Sequence, residues 1–200
     1  MAKLKTGSII LLFICFLHGA AGQSVLEDYP ILYETIKLRL KLVDVALSQN
    51  GVREKTGKND GPEIRKYLRE VGLPEGYPYC AAGLTWCHNQ LNIPNPESAW
   101  SPDWFKTNQV YHKNHIRLKE FVSRPGQVAG FYSETKKRIS HVAMITGESK
   151  IHYFTFEFNT NGQGSDDGQG NRELIRKKES VFAISDYVGY AEIKMALKSK

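Results

Sequence analysis

The spacing of apolar residues changes from a helical period to a strand period along the chain, and this change constrains the fold more than any other feature. In the first half, five apolar residues at helical intervals predict an amphipathic helix over residues 31–49: Leu32, Ile36, Leu40, Val43 and Leu47. In the second half, residues 151–160 alternate as a strand does. Helices followed by strands are typical of an α+β domain, in which N-terminal helices pack on an antiparallel sheet.

Two shorter helices are predicted between residues 60 and 90. Asp60 is expected to cap the first, with Pro62 and Glu63 in its first turn and Gly72 beyond its end. The second is expected to begin at Cys80 and to run without a breaker except one glycine. Further strands are predicted over residues 128–132, 140–146, 174–178 and 181–190, whereas residues 92–124 show no regular pattern.

The first 22 residues have the pattern of a signal peptide. Lys3 and Lys5 precede an unbroken apolar run over residues 9–17, and small residues follow at 19–22. That run is about half of the roughly 20 residues that a membrane-spanning helix needs, although a retained anchor is the alternative. We therefore expect residues 1–22 to be removed, residues 23–200 to form one domain, and the mature protein to be secreted or periplasmic.

The charge balance is mildly basic. The chain has 27 Lys and Arg against 21 Asp and Glu, a net charge of +6, and 24% of its residues are charged, as in ordinary soluble proteins. Two of the basic residues lie in the predicted signal peptide, so the mature chain carries 25 basic and 21 acidic residues, a net charge of +4. A positive charge of this size would attract an anionic polymer of the cell envelope, but it could equally serve only to keep the protein soluble. It is too small and too dispersed to predict binding to nucleic acid.

Two cysteines, Cys80 and Cys87, remain after the predicted cleavage. On one helix they are separated by roughly 10.5 Å of rise, and a disulfide tolerates Cα separations only up to about 7 Å; we expect no bridge. At the start of its helix, Cys80 would have a thiolate stabilised by the helix dipole and by free N–H groups, which could also line an oxyanion hole. Cys87 fits a buried hydrophobe, and a buried structural role is the alternative for Cys80.

His141 is the histidine best placed to activate such a thiol, because it opens a predicted strand. On the strand 151–160, Glu157 and Asn159 share a face with Tyr153 and Thr155. Either Glu157 or Asn159 could orient an imidazole, and a solvated face is the alternative. The opposite face is expected to lie in the core; it carries His152, Phe154, Phe156 and Phe158.

Taken together, these residues resemble the CHAP and NlpC-type cysteine hydrolases of peptidoglycan, over about residues 45–190. The resemblance is carried by the segments 51–62 (GVREKTGKNDGP), 77–82 (YPYCAA), 125–128 (PGQV), 140–147 (SHVAMITG) and 157–161 (EFNTN). The chain departs from the family at three positions, where an acidic residue, Trp and Gly are common: Gln127, Tyr79 and Ser140.

The resemblance implies a papain-like α+β domain and assigns site residues. Cys80 would be the nucleophile, His141 the base, and Glu157 or Asn159 the residue that orients His141. We predict Glu157 for this last role, since a carboxylate stabilises an imidazolium better than an amide does. Glu54, Asn59 and Tyr79 are assigned to the substrate cleft, and Trp100 to stacking on substrate, with a core position as the alternative for Trp100.

Neither a metal nor another cofactor is expected. A zinc site needs three or four ligands, and the histidines and cysteines lack the corresponding spacing. The stretch 164–168 lacks the ligand alternation of a calcium loop, so we expect an ordinary loop there.

The predicted function is that of an exported amidase or endopeptidase, a monomer that cleaves the peptide stems of peptidoglycan and binds neither nucleic acid nor, after cleavage, a membrane. Two alternatives are a non-catalytic wall-binding module on the same fold and a peptidoglycan-targeting toxin effector.

Overall fold

The computed structural model describes residues 30–115, 121–161 and 169–189. The predicted signal peptide and the loop 164–168 lie outside these ranges. The chain divides into two compact units, Met1–Lys37 and Leu38–Lys200. The described part of the first unit is the beginning of helix α1, and the second unit holds all the other elements. None of the helices in the described ranges combines the length and hydropathy needed to cross a bilayer.

The three predicted helices are confirmed. They are α1 (Pro30–Leu47), α2 (Pro62–Arg69) and α3 (Cys80–Asn89), and a 3-10 turn follows at Ser101–Phe105. In the second unit, α1 buries Leu42, Val43 and Ala46, so its inner face is rotated from the predicted stripe, of which Leu40 and Leu47 are only half-buried.

A buried ion pair explains this rotation. The guanidinium of Arg39, which is only 4% exposed, donates to both carboxylate oxygens of Asp186, at 2.9 and 2.7 Å. The amide of Gln127 donates to the same carboxylate at 2.8 Å. A face that holds an arginine cannot be recognised from apolar spacing.

The predicted helix cap at Asp60 is wrong. The carboxylate of Asp60 accepts hydrogen bonds from the backbone N–H and the hydroxyl of Thr56, at 2.9 and 3.0 Å. It is thus occupied within its own loop, and α2 begins after Gly61 with no side-chain cap. Pro62 and Glu63 lie in the first turn of α2, as predicted.

Six strands form one antiparallel sheet in the order β1–β6–β2–β3–β4–β5. Their bounds are β1 (Gln109–His112), β2 (Val128–Ser133), β3 (Arg138–Glu148), β4 (His152–Glu157), β5 (Arg172–Lys177) and β6 (Ala183–Ser185). The α+β class with an antiparallel sheet is therefore confirmed. The strand β1 was not predicted, the predicted strand 181–190 shrinks to β6, and β4 ends before Asn159.

The helices pack closely on one face of the sheet. The ring of Phe158 lies 5.1 Å from that of Tyr67 in α2, in an edge-on contact. It also presses on α3 at Gly83, where an added Cβ would lie 2.3 Å from the Phe158 ring. Helix α3, which begins with Cys80, is thereby held against the sheet.

The prediction for the two faces of β4 is only partly right. Phe156 and Phe158 are buried, as expected, but Phe154 is 41% exposed. The opposite face is not solvated either: Tyr153 is fully buried in a second apolar cluster with Ala129 and Ile145. Because each face of the sheet carries both buried and exposed side chains, alternation alone does not separate inside from outside here.

Candidate active site

Cys80 is the first residue of α3, and the residue before it leaves the helix end uncapped. Tyr79 occupies the N-cap position without a side-chain hydrogen bond, and the first helical bond runs from Gly83 N–H to the Tyr79 carbonyl at 2.8 Å. The N–H groups of the first turn therefore have no partner within the helix. These groups and the helix dipole favour negative charge at Cys80. Cys80 and Cys87 are both buried free thiols, as the helix geometry predicts.

A hydroxyl group lies beside the thiol. The Oγ of Ser101 is 3.6 Å from the Cys80 Sγ, and it donates to the carbonyl of Ser140 at 3.4 Å. Sequence reasoning missed Ser101, because nothing in the local pattern distinguishes it from the other serines near Trp100.

His141 and Glu157 form the hydrogen bond that sequence reasoning predicts. The Nε2 of His141 on β3 donates to the Glu157 Oε2 at the end of β4, at 2.8 Å, and both side chains are buried. The hydroxyl of Thr155 donates to the other oxygen of Glu157, also at 2.8 Å. The imidazole also interacts electrostatically with the thiol of Cys80, although its Nδ1 has no hydrogen-bond partner within the described ranges. The helix end and two strands thus bring Cys80, His141 and Glu157 together.

The electrostatics of this trio favour a thiolate. Burial alone would raise the pKa of the Cys80 thiol, but its interaction with the imidazole of His141, followed by Ser101 and the Ala81 N–H, brings the pKa below its ordinary value. Burial alone would lower the pKa of His141, yet Cys80 and Glu157 raise it. Together these two shifts favour a thiolate–imidazolium pair. By contrast, burial raises the pKa of Cys87, which fits its predicted role as a core residue.

Arg176 on the edge strand β5 binds both oxygens of the Glu157 carboxylate and shares Oε2 with His141. Its Nε donates to Oε1 at 2.6 Å and its Nη2 to Oε2 at 2.5 Å, and its guanidinium lies over the ring of Phe131. Burial would raise the pKa of Glu157, but Arg176 and then His141 lower it well below its usual range. Sequence reasoning missed Arg176, because only the register of β4 against β5 places it here.

The other residues predicted for the substrate cleft fall into two groups. Tyr79, Glu54 and Asn59 support the structure around Cys80, and Trp100 lies on the wall of the cleft. Tyr79 is fully buried and packs on Tyr67, so its side chain lies in the core and not in the cleft. Burial, and then the neighbouring Glu54 carboxylate, raise the pKa of Tyr79. Glu54 accepts the backbone N–H of Asn59 at 2.8 Å, and the Asn59 carbonyl accepts Gly76 N–H at 3.0 Å. Glu54 and Asn59 therefore brace the turn that leads to Cys80, and they do not line the cleft.

Asn159 lies just beyond β4, not on it. It is fully buried and has a φ of 53°, the left-handed conformation that asparagine tolerates better than most residues. The geometry places Glu157 beside His141, because its carboxylate accepts the hydrogen bond from Nε2.

The thiol opens into a cleft of about 510 Å³. Cys80, Ser101 and Ser140 lie on its wall, together with Tyr77 and Trp100, both half-exposed. Trp100 thus lies on the cleft wall, whereas Trp104 is a core residue, and stacking of Trp100 on substrate stays a prediction. A larger surface cavity of about 890 Å³ lies beside Ile151 and contains none of the residues of the trio.

Within the described ranges, no group of three or more His, Cys, Asp or Glu side chains is arranged to hold a metal ion. His88 in particular is buried in the core, with its Nδ1 2.8 Å from the carbonyl of Leu84.

Comparison of the chain with protein-family models, with curated proteins and with solved structures gives no match.

Proposed function

We propose that the protein is an exported cysteine hydrolase, an amidase or endopeptidase, that cleaves amide bonds in the peptide part of peptidoglycan. The observation that carries this proposal is the buried trio Cys80, His141 and Glu157, in which His141 is hydrogen-bonded to Glu157 and interacts with a thiol on the wall of a cleft. A buried thiol with a lowered pKa beside an oriented imidazole is the arrangement that nucleophilic thiol catalysis requires. The same arrangement favours an enzyme over a non-catalytic wall-binding module, which has no need of a thiolate.

The proposed reaction begins with attack of the Cys80 thiolate on the carbonyl carbon of a substrate amide. The N–H groups at the start of α3 stabilise the oxyanion that develops. The imidazolium of His141 gives its proton to the leaving amine as the C–N bond breaks, and a thioester on Cys80 remains. His141, now neutral, takes a proton from water, whose oxygen attacks the thioester. The acid product leaves, and the thiolate–imidazolium pair is restored.

Glu157 keeps the imidazole in position throughout these steps. Its hydrogen bond fixes Nε2 as the protonated nitrogen, so the other nitrogen serves Cys80 and substrate. Because Arg176 and Thr155 satisfy the rest of the carboxylate, Glu157 stays ionised despite its burial.

The choice of peptidoglycan rests on the resemblance to CHAP and NlpC-type hydrolases, and with it the assignment of the fold as papain-like. The predicted signal peptide supports it, because export would bring the enzyme to its substrate. The mild positive charge of the predicted mature chain is also compatible with an anionic wall polymer.

The test is digestion of purified cell walls with the predicted mature protein, residues 23–200, followed by mass spectrometry of the released muropeptides. Wild-type protein should produce fragments with newly hydrolysed amide bonds, and Cys80→Ala should produce none. Cys87→Ala is the matched control, since it removes the second buried thiol of the same helix and should leave the product pattern intact. The proposal fails if wild-type protein yields no amide cleavage, or if Cys80→Ala remains active while Cys87→Ala does not.

A further inference from the structure

Arg138 is a fixed cation on the wall of the cleft that contains Cys80. Its guanidinium lies 3.9 Å from the centre of the Trp100 ring, and its Nη1 donates to the carbonyl of Ile139 at 3.0 Å. Stacking and this hydrogen bond hold the group in one place, so little rotamer freedom remains to be lost when a ligand binds.

Most of the hydrogen-bonding capacity of this guanidinium is still open. An arginine carries five N–H donors, and within the described ranges the guanidinium of Arg138 donates to the carbonyl of Ile139 and forms no ion pair with a carboxylate. The other charged residues on the cleft wall are Lys136 and Glu97, so the wall is net positive.

The distance from Arg138 to the thiol sets where a ligand group would lie. Ser140, two residues along β3, offers its carbonyl to Ser101, and Ser101 is 3.6 Å from the Cys80 Sγ. Two residues of strand correspond to roughly 6.6 Å, which is also the rise of two residues in an extended peptide. Because Arg138 and Cys80 line the same cleft, a group bound to Arg138 would belong to a residue close to the scissile amide in the substrate peptide.

We propose that Arg138 and Trp100 form an anion subsite, which binds a free carboxylate of the peptide substrate next to the bond that Cys80 attacks. The inference rests on the proposed function and deepens it, because it selects peptides with a free carboxylate over their amidated forms. The planar guanidinium gives two parallel hydrogen bonds to a carboxylate, whereas a carboxamide can accept only through its single oxygen. Trp100 contributes by keeping the guanidinium flat against its ring.

The experiment measures binding to the Cys80→Ala protein, so it requires no turnover. The probes are L-alanyl-γ-D-glutamyl-L-lysine amide and the same peptide with the glutamyl α-carboxylate converted to an amide. Binding is followed by calorimetry and by tryptophan fluorescence. Trp100 is 50% exposed, while Trp86 and Trp104 are buried, so the fluorescence change reports on the cleft.

The carboxylate peptide should bind about tenfold more tightly than its amide, as expected for a hydrogen-bonded charge pair. Adding Arg138→Gln should remove the difference, and Arg138→Lys should retain part of it. Lys137→Gln is the matched control, because Lys137 is the neighbouring cation, pairs with Glu134 at 3.1 Å and does not line the cleft; it should keep the full preference.

The subsite is refuted if both peptides bind equally, if neither binds, or if the preference survives Arg138→Gln. Failure of wall digestion by the wild-type protein would contradict the proposed function alone, since the binding preference is measured independently of hydrolysis.

Discussion

The guanidinium of Arg176 and the carboxylate of Glu157 are joined by two hydrogen bonds, at 2.6 and 2.5 Å, and one of them goes to the oxygen that also accepts from His141. With Cys80 as a thiolate and His141 as an imidazolium, the charges along the site alternate: Arg176 is positive, Glu157 negative, His141 positive and Cys80 negative. This buried series is neutral as a whole, and a neutral set of charges is the easiest to hold away from water. Arg176 thus belongs to the electrostatics of the thiol, although it does not touch it.

Replacing Arg176 with Gln should raise the pKa of the Cys80 thiol. Without the guanidinium, the carboxylate and the thiolate share only the charge of His141, and a buried negative charge is left over. Within the described ranges, the charged groups that remain near the trio are Arg172, which pairs with Glu157 in the strand register, and three residues of the cleft wall: Arg138, Lys136 and Glu97. We expect a rise of about one to two pKa units, measured as the thiolate absorbance in a pH titration.

Arg172→Gln is the matched control for this prediction. It removes a positive charge from the same edge strand, but Arg172 donates no hydrogen bond to the Glu157 carboxylate, whose donors are His141, Thr155 and Arg176. The thiol titration of Arg172→Gln should stay close to that of wild type. A purely structural role for Arg176 would lower stability and leave the titration in place.

Glu157→Gln removes a negative charge from the site, whereas Arg176→Gln removes a positive one. Glu157 helps to raise the pKa of His141, so its neutralisation lowers that pKa. In the pH–rate profile of hydrolysis, the alkaline limb reports loss of the His141 proton, and it should move to lower pH by about one unit or more. The value of kcat should fall as well, because the imidazole loses its charged partner.

Asn159→Gly separates this effect from a general disturbance at the end of β4. Glycine tolerates the left-handed backbone at this position, where φ is 53°. In this variant the alkaline limb of the pH–rate profile should stay at its wild-type pH, even where the rate of hydrolysis changes. If Asn159→Gly moves the limb and Glu157→Gln does not, Asn159 is the residue that orients His141.

Gly83→Ala should destabilise the protein, because the added methyl group would lie 2.3 Å from the ring of Phe158. Helix α3 would have to move away from the sheet, and overpacking of this kind costs about 1–3 kcal/mol. Thermal unfolding measures the effect. Gly147→Ala is the control, since its Cβ would come no closer than 3.4 Å to Phe154 and should change stability by less than about 0.5 kcal/mol. Equal stability of the two variants would contradict the packing described for α3.

Features that depend on nearby residues could be predicted from the sequence, and features that depend on contacts between distant parts of the chain could not. The start of α3 at Cys80 and the strands around His141 and Glu157 depend on local periodicity and on turn residues, and they were predicted correctly. Arg176 was not, because its contact with Glu157 depends on the pairing of β4 with β5. Burial of Tyr153 was missed for a related reason: a second cluster covers that face of the sheet. The helix cap failed at Asp60 because Thr56 competes for the same carboxylate.

The central claim is that Cys80 is held as a thiolate by His141, and the pH dependence of its alkylation tests this most directly. With Cys87→Ala as background, the rate of reaction with iodoacetamide is measured from pH 4 to 10. Because Cys80 is only 3% exposed, access slows the reaction at every pH, and the midpoint of the profile is therefore more informative than the absolute rate. The account predicts a midpoint well below the value of about 8.5 for an ordinary thiol, and a return to that value or above in His141→Ala. A midpoint at or above about 8.5 in the protein with His141 intact would contradict it.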